Sequence, residues 1–416
     1  PEIFFSEPQY NTWIELQRDQ NQKGIEKYAD DIIKNKFPIG VFMIDGGWQK
    51  YQGNYEFRPE AFTDPKAMFD KINGMGFKTL LWVGPFVAPD SPEYRDLKNK
   101  GLLIMRKSRK SPGILHWWSG YSAAYDLTKP EAVESLKGTL RDMQKKYGMH
   151  GFKFDAGDTK FVVGDFKFNK PDQIPMDYTH EWSKFALDFP YNEFRANARM
   201  GGQPVVLRLQ DKHHTWKDLR QIIPDMLAAG IMGYPYTCPD MIGGGDYVSF
   251  QPGAELDEKL VVRSCQAHAL MPMMQFSVAP WRVLSKKNME ICRKFARLHE
   301  KFGPYILELA RNASKTGEPI VRYMEYEFPN QGFENCKDQF MLGPKYLVAP
   351  IITEADEREV MLPAGEWKDD LGNVVVGVCV QAAGAQGQAV VLVVHHAQEA
   401  VDALSIHQQA GQAEDI

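Results

Sequence analysis

Short apolar runs typical of β-strands alternate with amphipathic helical patterns through about the first 325 residues of this chain. The alternation implies βαβ units and a parallel sheet, because parallel strands need a crossover connection that is usually helical. Eight strand-then-helix steps can be counted, which predicts an α/β fold of the (β/α)8 TIM barrel type. The predicted strands lie at 10–16, 41–44, 79–83, 151–154, 204–209, 230–236, 273–276 and 319–324.

Two departures from this alternation predict additions to the barrel. Residues 85–128 hold four prolines and a basic run, so we expect a loop or small subdomain inserted after the third strand. From residue 338 onward, short strands and turns predict a small C-terminal β-sandwich-like domain. We therefore place the barrel at 1–330 and the C-terminal domain at 331–416. The structure of 377–416 stays open, because that stretch has no aromatic residue, Lys or Arg.

Composition bounds the classes of partner. The formal net charge of −5 gives no electrostatic reason to expect nucleic acid or an anionic membrane as partner. No apolar run reaches the roughly 18 residues that a membrane span needs. The five cysteines are scattered without metal-ligand spacing, so we expect neither a disulfide framework nor a metal site. The chain starts at Pro1 rather than Met, which suggests a trimmed product, and localisation and oligomeric state stay open.

Two aspartates follow apolar runs at positions where a barrel keeps its chemistry. Asp155 lies in the stretch GFKFDAGD at 151–158, and Asp211 follows a second apolar run. Carboxylates at the ends of neighbouring strands, the fourth and fifth in this count, can face one pocket. Two carboxyl groups about 5–5.5 Å apart are the equipment of a retaining glycosidase. The structural alternatives are that Asp155 is a turn residue and that Asp211 caps the following helix.

Charged neighbours favour the catalytic interpretation. Lys153 precedes Asp155 by two residues, so it points to the same side of the strand and would favour the ionised carboxylate. Arg208, three residues before Asp211, could hold a substrate hydroxyl or the developing charge, or equally form a structural ion pair. Two histidines follow Asp211, but no second acidic–His pair has metal-ligand spacing, so a zinc hydrolase is not expected.

Four segments together resemble glycoside hydrolase family 31. The stretch at 151–158 is similar to the family's nucleophile motif, which reads Lys-x-Asp-x-Gly-Glu in α-xylosidase-like members, with Asp158 here in place of the Glu. The stretch RLQDKHHTWKDL at 208–219 resembles the acid/base region, although both neighbours of its Asp are changed. PDMIGGG at 239–245 and MIDGGWQ at 43–49 resemble two sugar-binding segments.

The resemblance implies a role for each matching residue. Asp155 would be the nucleophile and Asp211 the general acid/base, and the reaction would need no metal or organic cofactor. Asp45 and Asp240 would bind sugar hydroxyls. Tryptophans in predicted loops could stack on a sugar ring, although each alone is more often a core residue than a ligand. The remaining substrate-binding candidates are Lys153, Arg208, Trp48, Trp117 and Trp118.

The expected substrate is a small oligosaccharide or glycoside that ends in an α-linked galactose. Glucosidase-like members of the family usually carry Trp where Lys153 stands and an Arg-x-His after the seventh strand, whereas residues 273–282 contain no His. The segments at 9–16 and 233–240 look most similar to the α-galactosidase-like branch. The alternative is an α-xylosidase or α-glucosidase, because Lys153 is shared with the α-xylosidases.

Two other functions stay open from the sequence. A non-catalytic sugar-binding relative is one alternative, because the acid/base surroundings are non-standard. Members of this family normally carry a β-sandwich before the barrel. This chain leaves no room for that β-sandwich, since it begins almost at its first predicted strand. A transglycosylase is the other alternative, because it would use the same residues with a sugar acceptor in place of water.

Overall fold

The computed structural model describes residues 1–108, 110–251 and 253–368, together with the backbone of Val374–Gly377 and Ala389–Val393. The chain divides into two compact units. The first unit comprises Pro1, Gln9–Lys34 and Ile39–Arg208, and the second comprises Glu2–Pro8, Asn35–Pro38 and the residues from Leu209 onward.

Short strands and longer helices follow one another along both units. The strands are β1 Gln9–Asn11, β2 Val41–Ile44, β3 Lys78–Val83, β4 Phe86–Val87, β5 Leu115–Trp117, β6 Gly120–Ala124, β7 Gly151–Phe154, β8 Asn192–Phe194, β9 Leu207–Arg208, β10 Thr237–Cys238, β11 Gln275–Phe276, β12 Val321–Arg322, β13 Phe340–Leu342, β14 Tyr346–Ala349, β15 Gly365–Lys368, β16 Val374–Gly377 and β17 Ala389–Val393. The α-helices are α1 Ile3–Ser6, α2 Trp13–Leu16, α3 Gln22–Lys34, α4 Pro65–Gly74, α5 Pro92–Asn99, α6 Pro130–Tyr147, α7 Pro175–Ser183, α8 Trp216–Ile231, α9 Glu258–His268, α10 Pro280–Val283, α11 Lys286–Thr316 and α12 Met324–Glu327.

The first unit is built on parallel strands with helical connections. Strands β1, β2, β3, β7, β8 and β9 lie in this order, so each pairs with the next parallel strand along the chain. The register sets Val83, Phe154 and Phe194 side by side at the last positions of β3, β7 and β8. The residues that follow these strands therefore meet at one edge, where barrel enzymes build their sites.

The segment between β3 and α6 forms the subdomain predicted for 85–128. Strand β6 pairs antiparallel with both β4 and β5, and α5 lies in the same segment. Trp117 pairs with Gly120 across the β5–β6 hairpin, so Trp118 and Ser119 form its tip. The insert thus presents an aromatic side chain at a hairpin turn.

Local sequence explains α6 and the strand that follows it. Pro130 occupies the first turn of the helix, where a missing N–H is tolerated, and Gly148 ends the helix with a φ of +77°, a conformation that favours glycine. Leu136 and Leu140 are buried on one face of the helix. All four residues of β7 are buried, as expected for a parallel strand covered on both faces.

The second unit contains β10, β11 and the C-terminal sheet. Met241 forms an isolated parallel bridge with Gln275 of β11. The long α11 begins after Ser285, whose side chain accepts the N–H of Asn288, and ends before Gly317 in the left-handed conformation. The C-terminal sheet has the order β12-β13-β14-β17-β15-β16, with β12, β13 and β14 antiparallel. This sheet is the β-domain expected from the sequence.

Several strand predictions are corrected by the structure. The helical pattern of 177–199 predicts one helix, but β8 lies inside that range and pairs with both β7 and β9. Asp155 and Asp211 therefore do not follow neighbouring strands. The predicted eighth barrel strand at 319–324 contains β12, which pairs antiparallel with β13 in the C-terminal sheet. The predicted first strand is shorter than 10–16, because α2 begins at Trp13.

Two further expectations concern the C-terminal region and membranes. The short strands that the sequence pattern predicts after residue 338 include one at 358–362, but these residues form no regular element. The stretch 377–416 lies outside the described residues, apart from Gly377 in β16 and the backbone of β17. Of the helices that the structure describes, none is both long and apolar enough to cross a membrane.

Candidate active site

Asp155 is the centre of a charged cluster in the first unit. Its backbone N–H donates to the Val83 carbonyl at 2.9 Å, which extends the pairing of β7 with β3 by one residue. Its Oδ1 accepts from the Arg195 Nε at 2.9 Å and its Oδ2 accepts from the Trp82 Nε1 at 3.0 Å. Arg195 also donates to both oxygens of Asp158, at 3.2 and 2.9 Å. The carboxylate is thus held on both oxygens.

The surroundings of Asp155 keep its carboxyl group ionised. Burial alone would raise its pKa, but the Arg195 guanidinium, then the Lys153 and Arg208 cations and the Trp82 N–H, outweigh this and hold the pKa of Asp155 well below its usual range. The prediction from Lys153 therefore has the correct direction. Arg195 contributes more than Lys153 because it binds the carboxylate directly. An ionised carboxylate is the form that a nucleophile requires.

A tight turn after Asp155 aims its side chain. Ala156 and Gly157 both have positive φ values, +56° and +74°. A Cβ atom on Gly157 would lie 2.3 Å from Cδ1 of the fully buried Trp182, so only glycine fits. The Gly157 carbonyl in turn accepts the Thr179 hydroxyl of α7 at 2.8 Å. The turn is therefore fixed from two sides.

Gly157→Ala should displace this turn and lower both stability and activity. We expect a loss of about 1–3 kcal/mol in the free energy of unfolding beyond the cost of the positive φ, because Trp182 would have to move. Gly164→Ala is the matched control, since Gly164 also has a positive φ (+112°) but no heavy atom lies within 4 Å of its Cβ position. Denaturant unfolding of both variants measures the difference, and equal losses would contradict the packing argument.

Lys153 and Asp45 form a buried ion pair. The Lys153 Nζ lies 2.6 Å from the Asp45 Oδ2, and the two side chains are 4% and 6% exposed. Asp45 also accepts the Gly46 N–H on its other oxygen, and its own N–H donates to the Thr12 hydroxyl at 3.0 Å. The structure therefore joins two residues that the sequence singled out separately. Their predicted contact with a sugar remains a prediction.

Arg208 lies in β9 and is 2% exposed. Its Nε is 3.4 Å from the Oε1 of Glu193 in β8, which is also buried. This ion pair is the structural alternative that the sequence left open for Arg208. The Arg208 cation also helps to lower the pKa of Asp155. Two buried side chains of opposite charge on adjacent strands stabilise each other only while both are present.

The three candidate tryptophans have different environments. Trp48 is fully buried and donates its Nε1–H to the Trp82 carbonyl at 2.8 Å. Trp117 is also buried and donates to the Ser122 hydroxyl at 3.1 Å, so burial favours the core interpretation for both. Trp118 is 47% exposed, and its ring lies 4.7 Å from the Arg195 guanidinium carbon. Of the three, Trp118 is the one that can offer a ring face to a ligand.

In the second unit, Asp211 is exposed in the loop between β9 and α8. It does not cap α8: the N-cap is Thr215, whose side chain accepts the Asp218 N–H at 3.2 Å. The helix-capping alternative for Asp211 is therefore wrong. Leu209 extends the preceding strand by donating its N–H to the Cys238 carbonyl at 3.0 Å.

Asp240, the predicted sugar ligand, is fully buried in the second unit. Its Oδ2 accepts two backbone N–H groups, from Lys212 at 2.7 Å and from Gly245 at 3.1 Å. The carboxylate therefore joins the loop of Asp211 to the glycine run at 243–245. Its predicted contact with a sugar hydroxyl stays a prediction.

Arg195 and Trp82 are partners of Asp155 that sequence reasoning did not identify. Arg195 follows Phe194 in β8 just as Asp155 follows Phe154 in β7. A prediction of β8 would have placed Arg195 beside Asp155. The residues of β8 form no apolar run, so the sequence pattern does not predict this strand. Within the described part of the chain, no group of three or more His, Cys, Asp and Glu side chains is arranged to hold a metal ion.

The pattern of strands and charged loops corresponds to a known family. Residues 9–309 match the Glycosyl hydrolases family 31 TIM-barrel domain, and residues 317–412 match the Glycosyl hydrolase family 31 C-terminal domain. The chain belongs to glycosyl hydrolase family 31. The predicted fold, a (β/α)8 barrel with a small C-terminal β-domain, is thereby confirmed.

Relatives within family 31 carry several activities. Myogenesis-regulating glycosidase of Mus musculus is 32% identical over 381 residues, which cover 89% of this chain and 53% of the relative. Alpha-xylosidase XylQ of Lactiplantibacillus pentosus is 26% identical over 379 residues, which cover 86% and 48%. A dextranase structure from Flavobacterium johnsoniae shares the fold, with a TM-score of 0.79 at 23% identity, covering 91% of this chain and 50% of that chain.

Two conclusions follow from these relatives. The chain spans about half the length of the curated relatives it matches. The expected α-galactosidase-like branch is not supported, because the relatives include α-xylosidases and an α-glucosidase by name. The family itself was predicted correctly.

Proposed function

We propose that this chain is the catalytic part of a retaining, exo-acting α-glycosidase with Asp155 as nucleophile and Asp211 as general acid/base. The observation that carries the proposal is the environment of Asp155. A guanidinium and an indole N–H hold both of its oxygens, and its pKa lies far below the usual range. A buried carboxylate kept ionised in this way is suited to attack an anomeric carbon.

The reaction proceeds in two displacements. The Asp155 carboxylate attacks the anomeric carbon and forms an ester bond while the glycosidic C–O bond breaks, and Asp211 gives its proton to the leaving oxygen. Asp211 then takes a proton from water, whose oxygen attacks the same carbon and breaks the ester to Asp155. Two inversions give net retention of the α-configuration. A sugar acceptor in place of water would give transglycosylation with the same residues.

An α-xyloside is the substrate that we rank first. Lys153 stands at the position where α-xylosidase-like members of the family also carry Lys, and XylQ is among the relatives. In this chain Lys153 is tied to Asp45 at 2.6 Å, so the two form one polar unit that could bind sugar hydroxyls. Trp118 would supply a ring face for the apolar C–H side of a sugar. An α-glucoside is the next candidate, and the galactoside predicted from sequence is the third.

A panel of aryl α-xyloside, α-glucoside and α-galactoside substrates tests the proposal. We expect the highest kcat/KM on the xyloside, and nuclear magnetic resonance should show the α-anomer as the first product. Fastest cleavage of the galactoside would restore the branch predicted from sequence. Release of the β-anomer first would contradict the retaining mechanism. Binding of a sugar without cleavage of any member of the panel would favour a non-catalytic relative.

A further inference from the structure

Asp240 has a backbone conformation that needs a local explanation. Its φ is +127°, in the region that favours glycine, and the residue is fully buried. A residue held there costs on the order of 1–3 kcal/mol and persists only where its surroundings require it. The side chain supplies the requirement, because its carboxylate is bound by two backbone N–H groups.

One of these two donors connects Asp240 to the peptide that follows Asp211. The Lys212 N–H donates to the Asp240 Oδ2 at 2.7 Å, and the Lys212 carbonyl accepts the Asp246 N–H at 3.1 Å. The backbone N–H and the backbone carbonyl of Lys212 are therefore both fixed by the segment 240–246. The Gly245 N–H gives the Asp240 Oδ2 its second bond, at 3.1 Å. Charged acceptors make such bonds stronger than neutral ones.

The position of Gly245 shows how closely the Asp211 side chain approaches the Asp240 carboxylate. A Cβ atom on Gly245 would lie 3.0 Å from the Asp211 Oδ1 and equally 3.0 Å from the Asp240 Oδ1. The φ of Gly245 is not positive, so its backbone would accept alanine. A side chain at this position would therefore be crowded by the two carboxylates and not by the chain conformation.

We propose that Asp240 is a positioning residue for Asp211. Its carboxylate fixes the Lys212 peptide and so sets the direction of the Asp211 side chain, while the missing side chain of Gly245 leaves Asp211 its space. This inference rests on the assignment of Asp211 as general acid/base. It gives Asp240 a role beyond the sugar contact expected from the resemblance.

Hydrogen exchange tests the bond between the Asp240 carboxylate and the Lys212 N–H without any need for activity. Asp240→Ala should speed amide exchange in a peptide covering 210–216, because the Lys212 N–H loses its acceptor. Asp240→Asn keeps an acceptor oxygen and should show a smaller increase. Gly138→Ala is the control, since no heavy atom lies within 4 Å of its Cβ position in α6, and it should leave the peptide unchanged. Unchanged exchange in Asp240→Ala would overturn the proposal.

Leaving-group dependence tests the consequence for catalysis. A dinitrophenyl leaving group needs little protonation, whereas a phenyl group needs a well-placed acid. In Asp240→Asn and Gly245→Ala, kcat/KM on the phenyl glycoside should fall roughly 10²-fold more than on the dinitrophenyl glycoside. Equal losses on both substrates would reduce Asp240 to a structural role and overturn the proposal. A wild-type chain that cleaves neither substrate would sink the proposed function, and the exchange result would still decide whether Asp240 holds the loop.

Discussion

Asp155→Asn is expected to lower kcat on the preferred aryl α-glycoside by roughly 10⁴-fold or more. An amide oxygen is a poor nucleophile and cannot form the ester to the anomeric carbon. The variant should still fold, because Asn has the same shape and its one oxygen can still accept part of the three hydrogen bonds that reach the carboxylate. Steady-state kinetics and the melting temperature measure the two effects separately.

Asp172→Asn is the matched control for that variant. Asp172 is an exposed aspartate in the same long segment between β7 and α7, so its substitution should leave kcat unchanged. An unaltered rate in Asp155→Asn would remove Asp155 from the reaction. A large loss in Asp172→Asn would mean that the assay responds to the segment as a whole.

Arg195→Gln should shift the acid limb of the pH–rate profile toward higher pH. Arg195 is the largest of the attractive influences that lower the pKa of Asp155, so its removal raises that pKa. A protonated Asp155 cannot attack, and activity would then be lost at a higher pH than in the wild type. We expect a shift of roughly 1–3 pH units in the acid limb of kcat/KM. Loss of the contact to Asp158 should add a fall in kcat of roughly 10²-fold.

Arg199→Gln provides the comparison for Arg195. Arg199 lies four residues along the same loop, and its side chain is half exposed beside Asp177. Its removal should leave the acid limb in place, because an exposed ion pair contributes little. If both variants keep the wild-type pH–rate profile, the Arg195 guanidinium does not lower the pKa of Asp155.

Elements with strong local signals could be predicted from sequence. The apolar runs at 41–44 and 151–154 coincide with β2 and β7, because strands buried on both faces read as continuous hydrophobic stretches. The sequence pattern also predicts a helix at 130–147, and α6 has these bounds, with Pro130 and Gly148 marking its two ends. The position of Asp155 at a strand end followed directly from these boundaries.

The errors arose where tertiary contacts override local pattern. Asn192 and Glu193 are polar yet fully buried in β8, so the strand has no apolar signature. Asn192 is accommodated because its side chain donates to the Phe189 carbonyl at 2.9 Å. Val321 lies in a strand, as the sequence predicts. The sequence does not reveal that its partner is Leu342 in the C-terminal sheet.

The two candidate catalytic carboxylates could be predicted from the sequence, but the side chains that hold Asp155 could not. Asp155 and Asp211 could be proposed from the ends of apolar runs and from the family resemblance. Arg195 could not, because its strand was hidden inside a helical pattern. Burial also separates Trp118 from Trp48, which sequence treated alike. Partners and exposure depend on pairings between distant segments, and single-sequence periodicity does not encode them.

The central claim is that Asp155 forms a covalent bond to the sugar. Incubation with a fluorinated α-glycosyl fluoride, which slows breakdown of the intermediate, followed by proteolysis and mass spectrometry, tests this most directly. We predict one added sugar on the peptide that contains Asp155 and none in Asp155→Asn. A sugar attached to another carboxylate, or steady turnover that yields inverted product without any adduct, would contradict the account.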